Sequence, residues 1–239
     1  MLVVVPALNE AATVGEVVRS ARATLGADVL VVDDGSTDAT GSEASRAGAS
    51  VLHHPFNLGV GAALRSGFRF ARQNGYHVVI QIDADGQHTA EQALLLIERL
   101  DADDADLVIG SRFDAGYDAG RVRRSIMRLL SRIISRRVGV VVSDTTSGFR
   151  AFSAKAIALF ATTYPTAYLS DTVEALLLAG DHHLRIVEQP VTMRARQGGR
   201  PSAGPMRSAF HFVRLSLVIG LHSIRLPMAR RGPGDDVAT

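Results

Sequence analysis

The chain has 239 residues, with 26 Lys+Arg against 24 Asp+Glu and no cysteine. That length and an apolar fraction of 46% suit one large or two small globular domains with a sizeable core. Without cysteine there are no disulfides and no thiol chemistry, and a net charge of only +2 argues against a broad nucleic-acid surface.

Leu2 to Val5 is a short apolar run ending at Pro6, as expected of a buried parallel strand rather than a signal peptide. Asn9-Glu10 is predicted to open a helix to about Leu25, with Ala11, Val14, Val17, Val18 and Ala21 on one face. Val29–Val32 is a second strand, closed by Asp33-Asp34-Gly35-Ser36, and Asp38 is placed to cap the helix after it. Val51-Leu52 is a short third strand. Gly59 to Asn74 reads as a helix with Leu64, Phe68 and Ala71 inward. Val78–Ile82 is the fourth strand, Thr89 caps a helix through Leu100, and Leu107–Gly110 is the next strand. The second half is less regular. It has a long basic helix over Arg121–Val138, a turn within Val140–Arg150, a helix over Ser170–Ala179 and a strand-like run over Arg185–Met193.

Strands alternating with helices at this spacing predict an α/β fold, a mostly parallel sheet flanked by helices. Ligands of such sheets sit outside the carboxyl ends of the strands. Pro6, Asp33-Asp34, Asp83-Ala84-Asp85 and Ser111-Arg112 all fall at those ends. Asp83 and Asp85, two residues apart, can face one point and suit a hard divalent cation with oxygen ligands. A solvated turn is the competing reading of the same three residues. His88, next to them, is better placed for a ligand role than the adjacent pairs His53-His54 and His182-His183.

Seven motifs stand in one order along the chain: Pro6-Ala7-Leu8-Asn9-Glu10, Val32-Asp33-Asp34-Gly35-Ser36, Asn57-Leu58-Gly59, Asp83-Ala84-Asp85-Gly86-Gln87-His88, Gly110-Ser111-Arg112, Ser147-Gly148-Phe149-Arg150 and Glu188-Gln189-Pro190. In this the chain resembles family 2 glycosyltransferases, above all the dolichyl- and polyprenyl-phosphate mannose synthases and their bacterial relatives. The resemblance covers about residues 1–200. It implies a GT-A fold, a nucleotide-sugar donor (GDP-mannose or a UDP-sugar), Mg²⁺ or Mn²⁺, and inversion at the anomeric carbon. Carried over by position, Pro6, Leu8, Glu10, Asp33 and Asp34 line the nucleoside pocket, with Ala84 beside the donor. Asp83, Asp85 and Gln87 surround the metal, while Arg112, Arg150 and Arg196 lie near the phosphates. Asp85 and Arg112 are then catalytic. An anionic lipid phosphate as acceptor would need arginines more than a base, and the resemblance gives Arg124, Ser125 and Arg128 that task. A hydroxyl acceptor needs a base, for which Glu174 and Asp171 are the carboxylates at hand.

The resemblance and the patterning together imply a catalytic domain over 1–205, with a donor half (1–112) and an acceptor half (113–205). An apolar helix over 206–231 and a disordered tail over 232–239 follow. Arg124, Arg128, Arg132 and Arg136 repeat at i,i+4 among Ile126, Leu129, Leu130, Ile133 and Ile134, an amphipathic pattern suited to an anionic membrane surface. A solvated face over a core-packed helix is the alternative. The expected partners are the donor, polyprenyl phosphate, the membrane surface and either a membrane protein or a second copy, with no nucleic acid. The expected location is the cytoplasmic face of the cell membrane. Two other readings remain: transfer to a hydroxyl of a glycan or small molecule, and non-catalytic binding of a nucleotide-sugar.

Overall fold

A computed structural model of the chain describes residues 1–111, 131–166 and 171–194. Its centre is a seven-stranded sheet in the order β3-β2-β1-β4-β6-β5-β7. The strands are β1 (Leu2–Ala7), β2 (Asp28–Asp33), β3 (Ser50–His53), β4 (Val78–Gln81), β5 (Leu107–Ser111), β6 (Arg150–Ser153) and β7 (Ile186–Pro190). All run parallel except β6, which inserts antiparallel between β4 and β5. The helices are α1 (Val14–Leu25), α2 (Thr40–Arg46), α3 (Val60–Gln73), α4 (Ala90–Ala102), α5 (Ala154–Thr163) and α6 (Asp171–Asp181). Residues 131–138 are also helical. This is the expected α/β architecture. The arginines expected at 112, 124, 128 and 196, with Ser125 and everything beyond 200, lie outside the described residues.

Parallel strands are buried on both faces, which accounts for the unbroken apolar runs in β1 and β2. Val3, Val5, Val29, Val31, Ile80 and Val108 pack with Val14, Val18, Ala93 and Leu96 in one core. A second core is aromatic. The Phe68 ring meets Phe152 edge-on at 4.8 Å and Tyr164 at 5.3 Å. Each such pair contributes roughly 0.5–1.5 kcal/mol beyond its buried area. Helix α3 comes unusually near the sheet because Gly67 has no side chain; a Cβ there would stand 2.5 Å from Val4 Cγ1.

Two elements depart from expectation. The helix after β1 begins at Val14, not at Asn9-Glu10. The backbone N–H groups of residues 9–11 are instead donated to Ser36 Oγ, Thr40 Oγ1 and Asp38 Oδ2. Asn9 adopts φ 56°, which Asn tolerates better than most residues. Asp38 accordingly serves two loops, accepting from the N–H of Thr40 and of Ala11, and the residue preceding α2 is Ala39. The other departure is the β6–α5 unit. Its strand is only four residues long and starts on a charged residue, so it carries no periodic signal. Thr89 does cap α4, accepting from Gln92 N at 3.4 Å.

Candidate active site

The parallel strands bring the acidic motifs to one edge. β1 ends at Ala7, β2 at Asp33, β4 just before Asp83, and β5 at Ser111. The loops that follow are laced together in sheet order. Asn9 Oδ1 accepts from Thr37 N at 2.9 Å, and Asp34 N donates to Ala7 O at 2.9 Å, joining the loops after β1 and β2. Gly35 then lets the next loop close in; with φ +77° it needs glycine, and a Cβ would stand 2.6 Å from the Phe56 carbonyl carbon.

Asp33 and Asp34 are buried, and each is fixed by a histidine. Asp33 Oδ2 lies 3.1 Å from His53 Nδ1 and Oδ1 accepts from Ser36 N. Asp34 Oδ1 lies 2.7 Å from His54 Nδ1 and accepts from Leu58 N, while Oδ2 accepts from Gly59 N at 2.8 Å. The histidine pair therefore braces the site aspartates. Sequence reasoning missed this; the signal was the parallel register, which sets Asp33 beside His53. Pro6 and Glu10 are half-buried at the same edge and Leu8 is exposed.

At the end of β4, Asp85 is buried and its Oδ1 accepts from Gln87 N at 3.0 Å. The Asp83 side chain is 38% exposed. It faces Gly148, where a Cβ would stand 2.9 Å from Asp83 Oδ2 and 3.2 Å from Gln81 Nε2. Buried Ala84 separates them. The His88 ring stacks on Phe149 with centroids 4.6 Å apart, and its Nδ1 is 3.9 Å from Asp83 Oδ2. Gln81 Oε1 is buried with no hydrogen-bond partner among the described residues. The segment after β7 borders this loop, with Arg194 N donating to Gln87 O and Thr192 N to Gln92 Oε1.

The wall opposite Asp83 is the loop 143–149. Glu188 Oε1 accepts from Ser143 N at 2.7 Å and Asp144 N at 2.9 Å, tying the loop to β7. Burial pushes the Glu188 carboxyl up, against those bonds. Arg150 is not open to the edge: it is 0% exposed. Its guanidinium donates to Ser147 O, Thr172 O and Thr145 O. The expectation of Arg150 beside a phosphate thus gives way to an interior position. Asp171 opens α6 and is 3% exposed. Burial pushes its carboxyl up to about 6, although the Arg150 charge acts in the opposite sense. Glu174, one turn further, is half-buried, so it has the better access of the two carboxylates expected to act as base.

Among the described residues no three His, Cys, Asp or Glu side chains come together as a metal-holding group. The donor set at the end of β4 nonetheless fits a hard cation. The Asp83 carboxylate borders the space cleared by Gly148, buried Asp85 follows two residues on, and both offer hard oxygen ligands.

A model of glycosyl transferase family 2 matches residues 2–160. The chain belongs to this family. It is a glycosyltransferase, and its sheet has the GT-A arrangement. The polyprenol monophosphomannose synthase of Mycolicibacterium smegmatis is 36% identical over 164 residues, which span 63% of this chain and 60% of that one. The undecaprenyl-phosphate mannosyltransferase of Micrococcus luteus is 32% identical over 216 residues, 83% and 85% of the two chains. Glucosyl-3-phosphoglycerate synthase from Mycobacterium tuberculosis, in a crystal structure with Mn²⁺, UDP and glucosyl-3-phosphoglycerate, superposes with a TM-score of 0.71 at 25% identity. That match covers 95% of this chain and 80% of the synthase.

Proposed function

We propose that this family 2 glycosyltransferase moves a hexose or N-acetylhexosamine from a nucleotide-sugar to polyprenyl phosphate, with inversion and with Mg²⁺ or Mn²⁺. The observation that carries the reading is the Asp83 carboxylate set against the glycine-cleared wall at Gly148, two residues before buried Asp85 and at the edge that also holds Asp33 and Asp34. The two mannosyltransferase relatives support the lipid acceptor.

Asp83, Asp85 and Gln87 would hold the cation, which supplies positive charge to a departing diphosphate. The residues around it prepare the site for that load. Asp34 and His54 fix the loop beneath the nucleoside end. Leu8, Pro6 and Glu10 offer an apolar and a hydrogen-bonding contact at the same end. Asp85 is pre-set by Gln87 N, so little reorganisation is needed when charge develops. Arg112 and Arg196 are proposed at the diphosphate, and Arg124, Ser125 and Arg128 at the acceptor phosphate. A phosphate acceptor is already anionic and needs no strong base.

Peripheral association with a membrane belongs to the same reading. Val140 and Val141 stand exposed, Val141 at 79%, beside exposed Arg132, Ile133 and Arg136. Apolar tips flanked by arginine suit an anionic lipid surface. Among the described residues no helix is long and apolar enough to cross a membrane. Residues 1–205 are proposed as the catalytic domain and 206–231 as a lipid- or partner-binding helix.

A second reading, transfer to a hydroxyl of a small anionic acceptor, is favoured by the likeness to glucosyl-3-phosphoglycerate synthase. In that case Glu174 would take the hydroxyl proton.

The test offers labelled GDP-mannose, UDP-glucose and UDP-N-acetylglucosamine with Mn²⁺ and short-chain polyprenyl phosphate, and in parallel 3-phosphoglycerate. An acid-labile, lipid-linked product supports the first reading. Transfer confined to the soluble acceptor replaces it with the second. Asp85→Ala is expected to abolish turnover, and retained activity would remove the metal assignment.

A further inference from the structure

Arg150 lies in the middle of the sheet, register partner of Gln81 on one side and Ile109 on the other. Among the described residues it is the largest side chain buried without exposure. Full burial of a guanidinium is rare and costly, and an apolar residue of similar size is often no less stable in such a place. Burial accordingly pulls Arg150 below the ordinary arginine value, opposed by the charges of Tyr164, Asp171, Asp144 and Asp83.

The geometry of its bonds shows what it joins. Nε donates to Ser147 O at 2.9 Å, inside the loop that faces Asp83. Nη1 donates to Thr172 O at 3.1 Å, in the first turn of α6 and two residues before Glu174. The third bond, Nη2 to Thr145 O, returns to the loop. One rigid, planar fork therefore spans two elements that are distant in sequence and both border the site.

We propose that Arg150 is a positioning residue, setting α6, and with it Glu174, against the loop that faces Asp83. It touches neither donor nor acceptor; it fixes the acceptor side of the site relative to the donor side. The inference rests on the glycosyl-transfer reading above. It separates two properties. Donor binding depends on the ends of β1, β2 and β4, which keep their own hydrogen bonds without Arg150. Turnover depends on how α6 meets them.

Arg150→Lys keeps the charge but loses the fork. The expected result is a kcat lower by about 10- to 100-fold, with the Kd for UDP and Mn²⁺ within about threefold of wild type, as for a misplacement on the order of 1 Å. Gly61→Ala disturbs the same relationship from the other side. Its Cβ would stand 2.2 Å from Pro165 O and 3.2 Å from Asp171 Cβ, pressing on the start of α6, while alanine favours helix α3 itself. It is expected to give the same split, and it carries the test where Arg150→Lys does not fold. Turnover unchanged in a folded variant that binds UDP overturns the proposal. So does a loss of UDP and Mn²⁺ binding in step with kcat, the mark of a general structural role. A wild type that neither binds UDP with Mn²⁺ nor transfers sugar overturns the glycosyl-transfer reading, and this inference with it.

Discussion

Asp83 and Gly148 are 65 positions apart in the sequence, yet a Cβ on Gly148 would stand 2.9 Å from one Asp83 carboxylate oxygen and 3.1 Å from the other. The glycine is what lets the carboxylate lie against the opposite wall. β6 brings this about, because its antiparallel insertion beside β4 places the residues before Arg150 over the end of the fourth strand.

Gly148→Ala should therefore act first on Asp83, with Gln81 Nε2 the next atom at 3.2 Å. Its backbone φ is not positive, so an alanine adds no backbone strain there. The added methyl must push the carboxylate, or the loop must retreat by a few tenths of an ångström. The expected outcome is a loss of about 10- to 100-fold in kcat/KM, from misplacement of a group at the reacting centre. Stability should change by less than about 1 kcal/mol. Mn²⁺ affinity by titration and thermal melting in parallel would check both. A variant with native Mn²⁺ affinity and native turnover would show that Asp83 does not hold the metal from this position.

Much of this edge was legible in the sequence, for a physical reason. Parallel strands buried on both faces must be apolar throughout, so the polar residues that close β2, β4 and β5 stand out against the runs before them. The order of the motifs supplied the rest. What could not be read was contact at long range. The family resemblance puts Arg150 near the phosphates by position in a motif; only the sheet reveals that its neighbours are Gln81 and Ile109. His53 and His54 were unreadable for the same reason. Adjacent histidines on a strand point to opposite faces, and only the pairing of β3 with β2 supplies an aspartate on each.

The clamp made by Asp34 predicts a large effect away from the metal. Its carboxylate accepts from Leu58 N and Gly59 N and lies 2.7 Å from His54 Nδ1, and Gly59 is held at φ 94° as α3 begins. Asp34→Ala leaves Leu58 N without this acceptor, whereas Gly59 N keeps Asn57 Oδ1 at 3.0 Å. An orphaned donor costs about 1–3 kcal/mol, so a loss of about 1–3 kcal/mol in urea unfolding is expected. Asp34→Asn keeps the shape but offers one acceptor oxygen in place of two, and should fall between wild type and Asp34→Ala. His54→Ala should cost least, because among the described residues it removes a partner from Ser66 Oγ and Asp34 alone. Equal stability of Asp34→Ala and wild type would contradict the clamp.

Asp171 predicts the sign of a pH effect. Burial pushes its carboxyl up to about 6 in the folded chain, with the Arg150 charge pulling the other way. An unfolded aspartate titrates near about 3.9. Between those values the folded state binds the proton more tightly, so stability falls as pH rises through the window and is level above it. A shift of this size corresponds to a term on the order of 3 kcal/mol. Asp106 behaves in the opposite way. Burial alone would raise it, but bonds from Arg185 N, Lys155 and Ser153 outweigh this and hold it below the usual carboxylate range. Its contribution is present above about pH 4 and is lost only on further acidification. The two windows therefore do not overlap. Urea unfolding of wild type and Asp171→Asn from pH 4.5 to 8 separates them. The variant should lack the decline and gain on wild type as pH rises towards 6, with the gap constant above about 7. Glu188, whose carboxyl burial also pushes up, tilts both proteins alike and cancels in the difference. A gap that stays constant across the range would mean that Asp171 remains ionised in the fold, neutralising Arg150 at every pH.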